Sequence, residues 1–168
     1  MAVAEIIGAA IGILLLVIVA YLIVGGTLSV AETVAVAQKD LALQTESRMR
    51  TDLRLNNSET SIAGTALTFS LTNTGNEIVS DYPHFDVFTD DNSGTPYTHY
   101  TYADIPGTAG TWAIIQRDND RIHPNQFDPG EKIWITATFS GSDPVWLMVS
   151  TDNGVYAQMA APALGWRI

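Results

Sequence analysis

The sequence contains no cysteine. Disulfide bridges, zinc–thiolate sites, iron–sulfur ligation and a thiol nucleophile are therefore excluded. Any domain of this chain that lies outside the cytoplasm must be stabilised by its own core or by its neighbours, because no disulfide can cross-link it.

Basic residues are scarce. Eight Lys and Arg stand against 18 Asp and Glu, which gives a formal net charge of −10. The imbalance is concentrated in residues 51–168, which hold 14 acidic and 5 basic side chains, whereas residues 1–50 hold 4 and 3. Because an acidic domain repels phosphate backbones, we do not expect nucleic acid as a partner.

Motifs for catalysis and nucleotide binding are also missing. The chain has no Gly-x-Ser-x-Gly elbow, no phosphate-binding loop and no Rossmann glycine pattern. Its only histidines are His84, His99 and His123. We therefore predict that the protein is not an enzyme, and we expect no cofactor and no small-molecule substrate.

Two acidic loops are the candidates for a metal. Asp90-Asp91-Asn92 and Asp118-Asn119-Asp120 offer the oxygen ligands that calcium prefers, but neither has the EF-hand spacing with its closing Glu. The same residue types are typical of turns, which is the simpler interpretation. His84 and Asp86 are two residues apart on a predicted strand and should face the same way, as a surface pair more readily than as ligands. No metal site is predicted.

The most pronounced feature is a long apolar run. From Ile6 to Val24, 19 successive residues are Ile, Leu, Val, Ala, Tyr or Gly, enough for a helix across about 30 Å of hydrocarbon. A secretory leader would have a basic start and a shorter apolar core. Here the first basic residue is Lys39, so the pattern favours a retained helix in apolar surroundings.

The helical pattern continues beyond Gly25-Gly26. Val30, Val34, Ala37 and Leu41 form an apolar stripe at helical spacing, which predicts one helix to about Met49, with a bend or local unwinding at the glycine pair. A helix of this length, about 70 Å, exceeds a bilayer. Its extra length must pack on the β-domain or on the same helix in other copies, unless it forms a simple stalk above a membrane anchor.

Glu5 lies one residue before the apolar run. A carboxylate near hydrocarbon is costly unless it pairs with a cation. The candidates are the α-amino group of the same chain and that of an adjacent copy. The alternative is a solvated glutamate at the membrane edge.

Residues 51–168 show the period of β-strands. Leu67, Phe69 and Leu71 alternate with polar residues, and so do Ile133, Ile135, Ala137 and Phe139. Further strands are predicted at 85–89, 97–102, 112–116, 145–150 and 155–159. Turn sequences separate them, and Asp152-Asn153-Gly154 is typical of a hairpin. We predict an α+β chain: a helix over 1–50, then an antiparallel β-sandwich over 51–168.

Two surface features remain. Asn56-Asn57-Ser58 is an N-glycosylation sequon with Asn56 as the possible acceptor. Tyr100 and Tyr102, which follow Tyr97, share one strand face, either as a buried sheet face or as an exposed subunit contact.

The order of Glu5, an uninterrupted apolar helix, an amphipathic continuation and a β-sandwich resembles the type IV pilin-like superfamily. Its archaeal branch contains archaellins, adhesive pilins and the FlaF/FlaG-type accessory proteins of the archaellum. Members of this branch join the helix to an immunoglobulin-like β-domain, so the resemblance implies an immunoglobulin-like antiparallel β-sandwich here. The segment Ala66–Asn76, followed by Phe85-Asp86-Val87-Phe88, resembles the strand–turn–strand of the FlaF-like domain. Archaeal pilins have a short basic leader that is removed by a peptidase. Because this chain starts Met1-Ala2-Val3-Ala4-Glu5, either a leader has been removed or none existed.

The resemblance implies a structural subunit of an archaeal extracellular filament, an archaellum or a type IV pilus. It implies a membrane-inserted precursor that becomes a homopolymer, with Glu5 neutralising a neighbour's amine. The residues then expected to pack in the helical core are Ile6, Ile7, Ile11, Leu14, Leu15, Ile18, Leu22, Val30, Val34 and Leu41. The alternatives are a FlaF-type membrane-anchored stator whose sandwich contacts the surface layer, and a plain membrane-anchored binding module.

Overall fold

The computed structural model describes residues 2–94, 97–120 and 122–161, in two compact units that divide between Gln44 and Thr45. One helix and nine strands are found in these residues. They are α1 (Ala2–Arg50), β1 (Leu53–Leu55), β2 (Ser61–Ala63), β3 (Ala66–Asn73), β4 (Asp86–Asp90), β5 (Thr98–Tyr102), β6 (Thr111–Asp118), β7 (Lys132–Thr138), β8 (Trp146–Ser150) and β9 (Tyr156–Ala160), with 3₁₀ turns at Asn57–Glu59 and Tyr82–His84.

Helix α1 is continuous through Gly25-Gly26, so the predicted local unwinding there is wrong. Glycine lowers helix propensity by about 1 kcal/mol per residue relative to alanine. Long apolar segments without proline lie on both sides of the pair, however, and helical hydrogen bonding satisfies every backbone group within the segment. The flanking residues therefore maintain the helix across the two glycines.

The strands form one hydrogen-bonded path in the order β1-β3-β7-β6-β5-β4-β8-β9, and β2 also pairs with β3. Every pair of strands is antiparallel except β5–β6, where Thr101 and Tyr102 align in parallel with Thr111 and Trp112. The predicted α+β architecture, a long apolar helix followed by a mostly antiparallel sandwich, is confirmed.

Strands from both ends of this strand order contribute inward side chains to a single core. Alternation along each strand directs one set of residues inward, as the sequence period predicts. The fully buried strand residues include Leu67, Phe69, Leu71, Val87, Tyr100, Trp112, Ile133, Ile135, Leu147 and Val149, and Phe127 joins the same core from an isolated bridge with Val79.

The seven strands predicted from alternation are present within one or two residues at each end, and the 152–154 turn joins the antiparallel pair β8–β9. Strands β1 and β2 were not predicted. Each has only three residues, too few for a period of two to be recognised. Both add to β3, whose apolar alternation is the clearest in the chain.

Asn73, at the end of β3, is a buried polar residue with all its groups satisfied. Its side-chain amide donates to the carbonyls of Glu77 and Phe127, each at 2.8 Å, and its side-chain oxygen accepts from Gly75 N–H at 3.0 Å. Its backbone N–H donates to Glu131, and its carbonyl accepts from Gly130. A buried polar group with complete hydrogen bonding fixes the segments that it joins, here the 73–77 turn and the 127–131 loop.

The 73–76 turn also lies directly against residues 50–52, where α1 ends. Thr74 and Gly75 N–H groups donate to the Asp52 carbonyl, at 2.9 and 3.1 Å, and Asn76 N–H donates to that of Arg50 at 2.7 Å. The approach is so close that a Cβ at position 75 would lie 2.4 Å from the Arg50 oxygen and 2.5 Å from the Asp52 nitrogen. Only glycine fits there.

We therefore expect Gly75→Ala to destabilise the β-domain by about 1–3 kcal/mol, because backbone atoms must move apart to admit the methyl group. Chemical denaturation monitored by tryptophan fluorescence would measure this change. Gly26→Ala is the control, since a Cβ at position 26 has no atom within 4 Å and should leave the β-domain unchanged. Equal stability of Gly75→Ala and the unmodified chain would refute the close approach.

Candidate functional site

The surface of helix α1 is the first candidate site. All ten residues predicted to pack in a helical core are exposed in the chain, from 48% for Ile18 and Val34 to 69% for Ile6. The other faces of the apolar run Ile6–Val24 are also apolar and exposed, with Leu16 at 71% and Tyr21 at 78% exposure. A helix that is apolar all round is stable in hydrocarbon or among other helices, but not in water. Packing between copies remains a prediction.

The few hydroxyl groups of α1 suit the same environment. The Thr27 hydroxyl donates to the Val24 carbonyl and the Thr33 hydroxyl to the Ser29 carbonyl, both at 2.9 Å. Because these bonds lie within the helix, neither group needs water. The segment Ile6–Ala31 has no charged residue in 26 positions, or roughly 39 Å of helix. This exceeds a hydrocarbon core of about 30 Å, and tilting of the helix would accommodate the excess.

Glu5 lies in the first turn of α1. A carboxylate at this position interacts favourably with the positive end of the helix dipole. Met1 lies outside the described residues, so the predicted pairing of Glu5 with an amine remains a prediction.

We expect Leu15→Lys to reduce membrane insertion sharply, because a lysine at the centre of a spanning helix costs about 2.5–3.5 kcal/mol. Expression with a separated membrane fraction, followed by alkaline carbonate extraction, would measure the retained protein. Leu43→Lys is the matched control, since Leu43 is also exposed but lies beyond the apolar run. Equal retention of both variants would contradict the assignment of 6–31 as the inserted segment.

Asn56, the predicted glycan acceptor, is half-buried and caps the 3₁₀ turn Asn57–Glu59. Its side-chain oxygen accepts from both the N–H of Ser58, at 3.2 Å, and the Ser58 hydroxyl, at 2.9 Å. The three sequon residues thus form a compact Asx turn. Modification of Asn56 stays a prediction.

In the two acidic loops, carboxylates accept hydrogen bonds from backbone amides. Asp90 accepts from Asn92 N–H at 2.9 Å and Asp91 from Ser93 N–H at 3.0 Å. In the second loop, Asp120 accepts from the backbone N–H of Asn125. These are turn interactions, and the part of the chain that the structure describes contains no group of three His, Cys, Asp or Glu arranged for a metal.

His84 and Asp86 do not form the pair predicted from a shared strand. His84 belongs to the Tyr82–His84 3₁₀ turn and contacts Asp81 at 2.7 Å. Asp86 begins β4 and contacts His99 on β5 at 3.0 Å. The reason is Pro83, whose fixed φ favours the 3₁₀ turn and delays the start of the strand. The carboxylate of Asp81 raises the pKa of His84.

A charged network lies beside β3 and β7. Lys132 Nζ donates to both carboxylate oxygens of Glu59, at 2.7 and 2.9 Å, and the hydroxyl of buried Ser70 also donates to Glu59. The hydrogen bond from Lys132, followed by that from Ser70, lowers the pKa of Glu59. The nearby Trp134 indole donates to Asp118 at 3.0 Å. This network joins the 3₁₀ turn Asn57–Glu59 to the sheet.

The Glu59 carboxyl should contribute to acid sensitivity. Because its folded-state pKa is lowered, its contribution is present above the pKa of the unfolded chain and is lost as the pH falls through the folded pKa. We expect Glu59→Gln to lose less thermal stability than the unmodified chain between pH 6 and pH 3. Lys132→Gln should reduce the pH dependence of thermal stability similarly. If thermal stability depends on pH in both variants as it does in the unmodified chain, the Glu59–Lys132 ion pair does not contribute to the acid sensitivity.

The predicted tyrosine face divides between core and surface. Tyr100 is buried and its hydroxyl contacts that of Thr89 at 2.9 Å, whereas Tyr102 is half-buried against Trp112. The hypothesis of an exposed subunit contact at Tyr100 is therefore wrong. Tyr97 is 65% exposed and contacts Trp146 instead.

Sequence analysis missed an aromatic surface on the outer side of β4, β5 and β8. Phe88, Trp146 and Met148 lie on the faces of their strands opposite the buried Val87, Leu147 and Val149. The sequence did contain an indication of this surface, namely large side chains on both faces of these strands. In a strand with one solvated face, apolar residues usually alternate with polar ones.

No family model and no curated protein sequence matches the chain. Solved structures do match. The archaellum periplasmic stator protein FlaG from Sulfolobus acidocaldarius has 17% sequence identity and a TM-score of 0.51, over 65% of this chain and 97% of that one. The archaellum periplasmic stator protein complex FlaF and FlaG from the same organism has 18% identity and a TM-score of 0.44, over 64% and 85%. The likeness to FlaG establishes a common fold.

Proposed function

We propose that this protein is a membrane-anchored accessory protein of the archaellum, of the stator type. Helix α1 anchors the chain in the membrane, and the β-domain lies outside the cytoplasm. The observation that carries the proposal is the combination, in one chain, of a FlaG-like fold with an exposed helix whose segment 6–31 has no charged residue.

The anchor follows from the physical chemistry of α1. Exposure of its apolar side chains to water would cost about 25 cal/mol for each Å² of apolar surface. Hydrocarbon removes this cost without requiring another copy of the chain. The three basic residues after the apolar run, Lys39, Arg48 and Arg50, favour a cytoplasmic location of the segment that follows. A long domain is translocated largely regardless of such charges, however, and the acidic β-domain suits an extracytoplasmic surface.

The function assigned to the β-domain is binding, without catalysis. A stator must hold a fixed position while another component moves, so it needs one attachment in the membrane and another in a surrounding layer. In this proposal the sandwich supplies the second attachment, through contact with the surface layer or with another stator protein. The proposed binding function requires no catalytic residue and no cofactor.

The filament-subunit hypothesis assigns helix α1 a different role, in which it packs against other copies of itself. In a filament, copies of α1 would bury one another and Glu5 would pair with a neighbouring amine, so the chain would be the major component of the polymer. In the stator proposal the chain remains in the membrane when the filament is removed. Abundance in the filament therefore separates the two functions.

The test is to shear filaments from cells of the source organism and quantify this chain in the filament and membrane fractions by mass spectrometry. We expect it in the membrane fraction, with only trace amounts in the filaments. Deletion of its gene should abolish rotation of the filaments, measured on tethered cells. Glu5→Ala should leave the membrane-bound amount unchanged.

A chain that dominates the sheared filaments would overturn the stator proposal in favour of the filament subunit. In that case Glu5→Ala should prevent polymerisation while the protein still accumulates in the membrane. Normal rotation after deletion, together with retention in the membrane, would instead support a plain membrane-anchored binding module.

A further inference from the structure

The aromatic face of the β-domain is the outer surface of β4, β5 and β8, defined by Phe88, Asp90, Tyr97, His99, Trp146 and Met148. Strand register brings these residues together. Phe88 aligns with His99 on one side and with Met148 on the other, and Asp90 aligns with Trp146. Tyr97 is exposed, whereas Phe88, Trp146 and Met148 are half-buried. A contiguous aromatic patch of this kind marks an interaction surface more often than an isolated apolar residue does.

The rings lie close to each other. Tyr97 and Trp146 have ring centroids 5.3 Å apart, and Phe88 and His99 have centroids 4.9 Å apart. Tyr97 is adjacent to β5 and Trp146 lies on β8, and these strands are separated by β4, a distance of about 9.5 Å. The two rings must therefore lean toward each other across β4, near the register position of Asp90.

Charge decides which partner suits this face. Asp90 lies among the rings, Asp86 contacts His99 at 3.0 Å, and no Lys or Arg is among the six residues that define the face. A second copy would bring the same carboxylates together, which is repulsive. Nucleic acid and anionic lipid are repelled for the same reason. A cationic partner instead gains from both the carboxylates and the ring faces, whose negative potential attracts a cation.

We propose that the aromatic face binds an arginine-rich segment of a partner protein. Guanidinium groups stack on Tyr97 and Trp146 and pair with the carboxylate of Asp90. Arginine is favoured over lysine because its planar group stacks on aromatic rings and forms two parallel hydrogen bonds with a carboxylate. The inference rests on this face alone and does not depend on the archaellum assignment.

The test uses the full chain in nanodiscs of zwitterionic lipid and a fluorescein-labelled peptide of four Ser-Arg repeats, with fluorescence anisotropy as the measurement. The corresponding Ser-Lys peptide is the second probe. We expect the arginine peptide to bind about threefold or more tightly than the lysine peptide, in line with an exposed cation–π contribution.

Variants connect binding to this face. Tyr97→Ala and Asp90→Asn should each weaken binding of the arginine peptide about threefold or more, while Tyr97→Phe keeps the ring and should remain within about twofold. Asp104→Asn removes an equal charge from an exposed position between β5 and β6 and should have no such effect. Thermal melting would verify that every variant is folded.

Three results would overturn the proposal. Equal weakening by Asp90→Asn and Asp104→Asn would show attraction by net charge only. Equal binding of both peptides, unaffected by Tyr97→Ala, would exclude ring stacking. Binding of maltohexaose at the face, without binding of the arginine peptide, would indicate a carbohydrate platform. None of these results bears on where the chain resides in sheared cells, so failure here is distinguishable from failure of the stator proposal.

Discussion

The hydrogen bonds of buried Asn73 fix the part of the β-domain on which the rest depends. One side chain connects the end of β3, the 73–77 turn and the 127–131 loop, and each of its polar atoms has a partner. Because an unsatisfied amide in this place would cost about 1–3 kcal/mol, the three segments stabilise one another. The turn that results places Gly75 against residues 50–52, so the end of α1 is fixed by an interaction that begins inside the core.

Patterns long enough to repeat were predictable. The 19 apolar residues from Ile6 specify the helix through their composition and length, and the alternation around Phe69 and Ile135 specifies the central strands through burial of one face. Features that depend on a single residue or on tertiary contact could not be predicted from the sequence. Strands β1 and β2 exist because β3 offers them an edge, and Pro83 moves His84 out of β4. Similarly, large side chains on both faces of β4 and β8 were an indication of an outer apolar surface, but only strand register brings Tyr97 and Trp146 together across β4.

The two units of the chain suit opposite surroundings. Residues 6–31 have no charge, whereas the β-domain has most of the acidic side chains and buries its apolar residues in one core. Only the segment 6–31 lacks charge, since Glu32, Lys39 and Asp40 follow it on the same helix. The division between an uncharged helical segment and an acidic β-domain is thus a property of the sequence itself.

The attachment at residues 50–52 determines how helix α1 ends. Helix α1 continues without interruption to Arg50, and the carbonyls of Arg50 and Asp52 accept three backbone hydrogen bonds from the 74–76 turn. The last carbonyls of a helix have no partner within the helix. In α1 the Arg50 carbonyl has a partner in the 74–76 turn, so the final turn of this helix is closed by a backbone group of the β-domain and does not depend on water.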